Sequence, residues 1–438
     1  MSLKINYLKI LLFVLIVIPF SCVNAQSEKT VIDSIKILGN DITEDFIILR
    51  ELSFNLGDAI DAKELDFNKD RIFSLGLFTN VDLKIEKNDY YNRLIITVEE
   101  GWYIYPIPFI SRGNQKTNHY SYGVNLEIKN FRGRNEFLKA IFSIGYDPFF
   151  AIYYDNPSLI YEKGLGVKCG ISYLNSTNKN IKAEQFYGKG FDFKNYGGNL
   201  TIYKRLDQFN TIELKSSFYY IEYPRDINNQ ITASRNSVDR ILGVGIGYEH
   251  DSRDLIQFPK RGYYLYTDFV HKGFGINDIN YNVINVDSRN YFHFSNFFIG
   301  KIRNYFRLTS NTVPFFDFSY LGFSEIIRGR KDEQREGNNL IKTSAEIALP
   351  LVNEWNFRIK LPLIPESLTS GRVAVFISLF ADAGDVFNNN QKIMISDFST
   401  GYGLGFTFLF MPYNTIRLEY SLGQKNKGEF SIDTGISF

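Results

Sequence analysis

The feature that most constrains this chain is an apolar–polar alternation of period two that recurs from residue 120 to the last residue. Tyr402, Leu404, Phe406, Phe408 and Phe410 fall on one face of an extended strand, with Gly403, Gly405 and Thr407 on the other. Ile416, Leu418, Tyr420 and Leu422 oppose Arg417, Glu419 and Ser421, and Phe430, Ile432, Thr434, Ile436 and Phe438 oppose Ser431, Asp433, Gly435 and Ser437. Tyr120, Tyr122, Val124, Leu126 and Ile128 oppose Gly123, Asn125, Glu127 and Lys129, and Leu242, Val244, Ile246 and Tyr248 oppose Gly243, Gly245, Gly247 and Glu249. The second face carries bare charges and many glycines. A soluble sandwich also alternates, but here such strands continue to the chain end and finish on Phe438, an aromatic last residue of the kind outer-membrane barrels often carry. The apolar faces are therefore assigned to lipid. Closure into a barrel follows, because a free sheet edge does not survive in hydrocarbon. Residues 102–438 allow about 21 residues for each of sixteen antiparallel strands with its connection, where ~9–11 are needed to cross.

Composition agrees with β structure: aromatics reach 16 %, with 40 Phe and 29 Tyr, while mean hydropathy is an unremarkable -0.17. Forty-nine basic residues against 48 acidic ones argue against a nucleic-acid partner. Residues 1–25 read as a secretory signal, with Lys4 and Lys9 ahead of an apolar core too short to span comfortably and Val23-Asn24-Ala25 at the cleavage positions. Lipoprotein cleavage before Cys22 is the rival, with Pro19-Phe20-Ser21 a poor approach to it. After cleavage only Cys169 remains, so no internal disulfide is expected. No later stretch holds ~18 consecutive apolar residues.

Residues 28–101 read as a small α/β domain. Residues 30–38 alternate as one strand closed by Gly39-Asn40. Thr43-Glu44-Asp45 opens a helix with Phe46, Ile47, Leu49 and Leu52 on its apolar side, and Asp61 caps a second helix bearing Leu65, Ile72, Phe73 and Leu75. Two strands follow, through Val81, Leu83 and Ile85, then Leu94, Ile96 and Val98.

Three further pieces carry chemistry. Residues 310–339 form a long polar connection containing Gly322-Phe323-Ser324-Glu325-Ile326-Ile327-Arg328-Gly329-Arg330, and Phe380-Ala381-Asp382-Ala383-Gly384 lies downstream. Parity places Val373, Val375, Ile377 and Leu379 on the lipid face and hence Phe380 and Asp382 inside; Ile347, Leu349 and Leu351 likewise turn Glu346 inward. Two inward carboxylates thus await an arginine that folds into the lumen, and the planar guanidinium suits two oxygens at once. Gly329 permits a tight turn.

The set resembles the outer-membrane barrel-assembly family of BamA/TamA type. The β-α-α-β-β order and residues 74–81 resemble a POTRA domain. Ile327-Arg328-Gly329 is similar to the family's Val-Arg-Gly-Phe/Tyr loop tip, with Arg330 in place of the aromatic, and Phe380-x-Asp382 to its wall motif. Residues 249–254 with 258–263 resemble the turn after the eighth strand, and Asp155-Asn156-Pro157 the turn after the fourth. The resemblance implies a lumenal loop lock of Arg328, Gly329, Glu346, Phe380 and Asp382. It also implies a barrel at the Gram-negative outer membrane with its POTRA domain in the periplasm. Its expected partners are membrane lipid, folding outer-membrane proteins as clients, and accessory assembly proteins. The function implied is assembly of other barrels, without chemical catalysis. A two-partner polypeptide-secretion pore or a plain channel is the alternative; the single POTRA-like unit and the absence of a helical plug segment before it weigh against the secretion pore.

No enzyme is signalled. His119, His250, His271 and His293 form no metal-spaced cluster, no Gly-x-Ser-x-Gly elbow occurs, and no cofactor is expected. His250 beside Asp251 reads as part of a turn. The resemblance places the first strand directly after the POTRA domain, which implies a lateral seam where residues 102–110 meet the final strand, read as residues 430–438; the alternative is that residues 103–108 are a linker and the first strand begins later. Pro106 and Pro108, two apart, both lack the N–H donor on the same edge, facing a short last strand from Phe430 to Phe438.

Overall fold

The computed structural model describes residues 29–112, 119–178, 180–188, 190–227, 232–294, 297–322, 325–331, 333–412, 414–423, 427–435 and 437–438. The leader with Cys22, Phe323 and Ser324 of the loop tip, residues 424–426 and Ile436 lie outside the described residues.

The N-terminal domain is built as β1 (Thr30–Val31), β2 (Ser34–Leu38), α1 (Asp45–Leu49), β3 (Ala59–Ile60), α2 (Ala62–Ser74), β4 (Phe78–Lys87) and β5 (Asn92–Glu100). A three-stranded sheet ordered β2-β5-β4 carries the helices, with β2 parallel to β5. Residues 30–38 are not one strand. Ile32 is fully buried, and its N–H donates to the Asp58 carbonyl, so β1 leaves to pair with β3. Nor does Thr43 cap α1: Glu44 occupies that position without a side-chain bond, and the buried positions are Ile47 and Ile48, with Leu49 exposed. Asp61 does cap α2, in a reciprocal box with Glu64.

The rest of the chain winds into one sheet of sixteen antiparallel strands. Its first half comprises β6 (Ile104–Arg112), β7 (Tyr120–Phe131), β8 (Glu136–Gly145), β9 (Phe149–Ile160), β10 (Leu165–Thr177), β11 (Asp192–Arg205), β12 (Asn210–Glu222) and β13 (Val238–Asp251). A short helix, α3 (Ile181–Tyr187), lies in the β10–β11 connection. After β14 (Gly262–Lys272), β15 (Tyr281–His293) and β16 (Ile299–Ser310), the chain makes a small hairpin, β17 (Ser319–Leu321) with β18 (Arg335–Gly337), inside the long connection. The wall resumes with β19 (Asn339–Arg358), β20 (Ser370–Phe387), β21 (Ser399–Met411), β22 (Asn414–Gly423) and β23 (Gly428–Thr434).

Alternation sorts the side chains as the period demands. Ile246, Leu379, Tyr402 and Ile432 stand exposed on the exterior, whereas Glu346, Phe380, Asp382 and Glu419 are buried inside. Asp155-Asn156-Pro157 lies within β9 rather than in a turn; the turn is the helical step Tyr161–Lys163 ending at Gly164. The β9–β10 register shifts between Leu165 and Val167, and Pro157 sits at this irregularity, where its missing N–H is tolerated. The last strand ends at Thr434, short of the chain terminus. Phe438 is buried and its carbonyl accepts a 2.9 Å bond from Tyr291 of β15, so the terminus turns into the lumen.

At the mouth facing the N-terminal domain, the β13–β14 turn folds inward. Leu255 and Phe258 are buried in one core with Phe73 of α2 and with Ile299, Phe376, Leu409 and Met411 of the wall, and Phe258 stacks on Phe376 at 4.2 Å. The domain is pinned to this mouth by polar contacts. Glu51 takes 2.8 Å from Arg205, and Thr43 takes 2.8 Å from Asn130. The mouth therefore has an apolar floor.

Candidate functional site

Above that floor the connection between β16 and β19 returns into the barrel. Its tip is held by apolar packing first: Ile327 is buried with Leu321, Leu340 and Val386. Gly329 has φ +84, and a β-carbon there would come within 2.8 Å of the Leu422 backbone. Gly401 on β21 is just as constrained, since a β-carbon would overlap the Arg328 carbonyl oxygen. Small residues on β21 and β22 thus let loop backbone lie directly on wall backbone.

Arg328 is the polar centre. Nε and Nη2 donate to the two oxygens of Asp382, each at 2.8 Å, and the Arg328 backbone N–H adds a 3.1 Å bond to Asp382. Nη1 reaches Glu346 at 3.2 Å and Glu419 at 3.3 Å. The guanidinium plane lies over the Phe380 ring, 3.7 Å from its centre. Three carboxylates within hydrogen-bond reach offset the cost of burying this charge. The five residues assigned to a lumenal lock from the sequence lie together. Pro106 and Pro108 lie on β6 and Phe430 on β23, whereas Phe438 lies off the strand.

Sequence reasoning missed half of the charge set. Lys301 donates to Glu346 at 3.1 Å and stands 3.8 Å over the Phe258 ring, joining the lock to the floor. Arg417 donates to Glu419 at 2.8 Å. Three cations thus face three carboxylates, which is why so much charge can be buried. Glu419 and Arg417 are legible as inward by parity; their meeting with the loop is not. Arg330 pairs with Glu333 in place of the aromatic contact. Lys331 reaches β23, with a backbone bond to Glu429 at 3.2 Å and an ion pair with Asp433 at 3.0 Å. Among the described residues no His/Cys/Asp/Glu group has the geometry to hold a metal. His250 bonds to Asn210 and Asp251 to Arg253.

The edges of the sheet are β6 and β23, and among the described residues no ladder joins them. Tyr103 accepts from Lys129 of β7 at 2.8 Å, and the register continues Ile104↔Ile128. Odd residues of β6 therefore bond to β7, and Pro106 and Pro108 turn their donor-less nitrogens to the free edge.

A sixteen-stranded antiparallel barrel with an N-terminal α/β domain on one mouth and an inward loop held by a buried arginine defines a class of membrane barrels. Residues 130–438 match the Omp85 superfamily domain, and residues 30–101 match POTRA, the surface antigen variable number repeat. The chain belongs to the Omp85 superfamily. Its fold is similar to that of BamA from Haemophilus ducreyi lacking POTRA domains 1-3, at 17 % identity and TM-score 0.54 over 92 % of this chain and 84 % of that one. It is also similar to CdiB from Acinetobacter baumannii, at 15 % identity and TM-score 0.53 over 92 % and 72 %. No curated protein sequence matches the chain.

Proposed function

We propose that this protein inserts or assembles β-barrel proteins into the outer membrane of a Gram-negative bacterium, with its POTRA domain in the periplasm and without chemical catalysis. The observation that carries the reading is the pair of unladdered edges. An edge strand offers its backbone groups to an incoming strand, and β6 offers an edge thinned of donors by Pro106 and Pro108. The Arg328 loop braces the wall beside this seam, because Lys331 holds β23 through Asp433. Clients are strands of folding outer-membrane proteins; accessory proteins would meet the POTRA domain.

A polypeptide-secretion pore is the second reading, favoured by the fold likeness to CdiB. Against it, the Phe258 floor and the Arg328 loop both stand across the lumen. The test is reconstitution: purified protein in vesicles should accelerate folding of an unfolded barrel client over empty vesicles, and the client should end in the bilayer. Passage of a client to the vesicle interior would favour the secretion pore, and no effect on any client would defeat both.

A further inference from the structure

The β19–β20 hairpin outruns the barrel at the POTRA mouth. β19 pairs with β16 only as far as Ala348, yet continues to Arg358 against β20, and residues 359–369 form the tip. One side of this projection faces protein: Arg358 pairs with Glu99, Asn356 donates to Asn80 at 3.0 Å, and Arg372 donates to Asp70 at 3.3 Å. The other side is apolar and uncovered. Trp355 is 53 % exposed and Leu363 fully so, with Ile359 and Leu361 exposed between them and Ile364 exposed next to Leu363.

Register shows what this uncovered side continues. Trp355 stands opposite Val373, and Val373 opposite Phe410. Val373 and Phe410 belong to the exterior row that runs on through Val375, Ile377 and Leu379. Trp355, Phe357, Ile359, Val373 and Phe410, with Asn356 and Arg358 between them, line one open groove of about 550 Å³. The apolar patch is thus the lower end of the belt that faces lipid, continued past register shifts between Pro350 and Trp355. Lys360, exposed and paired with Glu366 at 3.3 Å, lies among these apolar residues of the tip, a cation with its stem along apolar surface.

We infer that residues 351–368 form an interfacial anchor that lies in the bilayer leaflet on the POTRA side, its groove filled by lipid acyl chains. The opposite side of the same hairpin is tied to the POTRA domain, so the anchor also fixes that domain against the membrane surface. The inference rests on the barrel standing in a bilayer, not on any client activity.

Trp102 and Trp355 are the two tryptophans of the chain. The full-length Trp102→Phe variant, in vesicles of phosphatidylcholine and phosphatidylglycerol, therefore reports on residue 355 alone. With brominated acyl chains its emission should fall relative to unbrominated vesicles, and aqueous iodide should leave it unchanged. Leu361→Asp/Leu363→Asp/Ile364→Asp in that background should remove the bromine quenching while compact migration on a gel shows the barrel still folded. Insertion of the barrel is read separately, from Leu379→Trp in a chain with both native tryptophans replaced by Phe. Bromine quenching at residue 379 without quenching at 355 overturns the anchor, whether iodide reaches Trp355 or a protein surface shields it. Quenching at neither position overturns the membrane reading as well.

Discussion

Arg328 places a permanent charge among buried neighbours, and its planar fork is what satisfies three carboxylates at once. A lysine keeps the charge but has no flat fork to match Asp382 or to stack on Phe380. Arg328→Ala should destabilise the folded barrel by about 3–5 kcal/mol, since Asp382 loses its partner in a buried site, and Arg328→Lys should lie between that and wild type. The check is the temperature at which compact gel migration is lost; a lysine variant equal to wild type would remove the role of the fork. Gly401 gives a steric version of the same test. Its neighbours Asp382 and Gly423 hold it in ladders on both sides, so a methyl aimed at the Arg328 carbonyl displaces the loop. Gly401→Ala should destabilise by about 1–3 kcal/mol and expose the loop to protease. Gly198→Ala, where a β-carbon meets nothing within 4 Å, serves as the control that leaves the loop protected.

At the scale of the strand, β6 and β23 each have one partner where every strand between them has two. Their amides should exchange with solvent faster than those of β20 and β21 by hydrogen exchange in a reconstituted sample; equal protection would mean that the seam is laddered in the membrane. Strands also divide what is legible in the sequence from what is not. Parity along a strand has period two and no exceptions without a bulge, so Phe380, Asp382 and Glu346 can be placed inside from the sequence alone. Which inward charges meet is decided by barrel curvature, and so the roles of Lys301, Arg417 and Glu419 are hidden. The Leu255–Phe258 floor is hidden too, because two apolar residues in a turn carry no periodicity. Extending the alternation to the end places Phe438 on the seam, but Gly435 at φ +87 breaks the strand and the terminus turns inward. Thr43 reads as a helix cap; its hydroxyl instead bonds Glu100 and Asn130, a contact between segments far apart in sequence.

For the whole molecule, the POTRA domain, the floor, the lock and the last strand form one connected path: Phe258 touches Lys301, Lys301 holds Glu346, Glu346 shares Arg328, and Lys331 ties the loop to β23. Docking of the domain has its own electrostatic control. Burial pushes the Glu51 carboxyl up, but Arg205, Arg71 and Arg50 outweigh it and hold its pKa below the ordinary 4.5. A depressed carboxylate pKa stabilises the docked form above the ordinary value, and that contribution is lost as pH falls below it. Distance measurements between spin labels on α2 and on the barrel should therefore show the domain loosening as pH drops from about 5 to about 3. Glu51→Gln should loosen it at neutral pH and flatten the response. Asp70 is pushed the other way, up, by burial despite Arg372, so Asp70→Asn should steepen the acid loss.

The central claim is that clients are assembled at an opening between β6 and β23. In a Cys169→Ser background, one cysteine at a residue from 104 to 110 is paired with one from 430 to 434. Client folding is then measured in vesicles before and after oxidation. The account predicts that the disulfide forms, that client folding stops when it does, and that reduction restores it. A crosslinked protein that assembles clients at the full rate would contradict the claim.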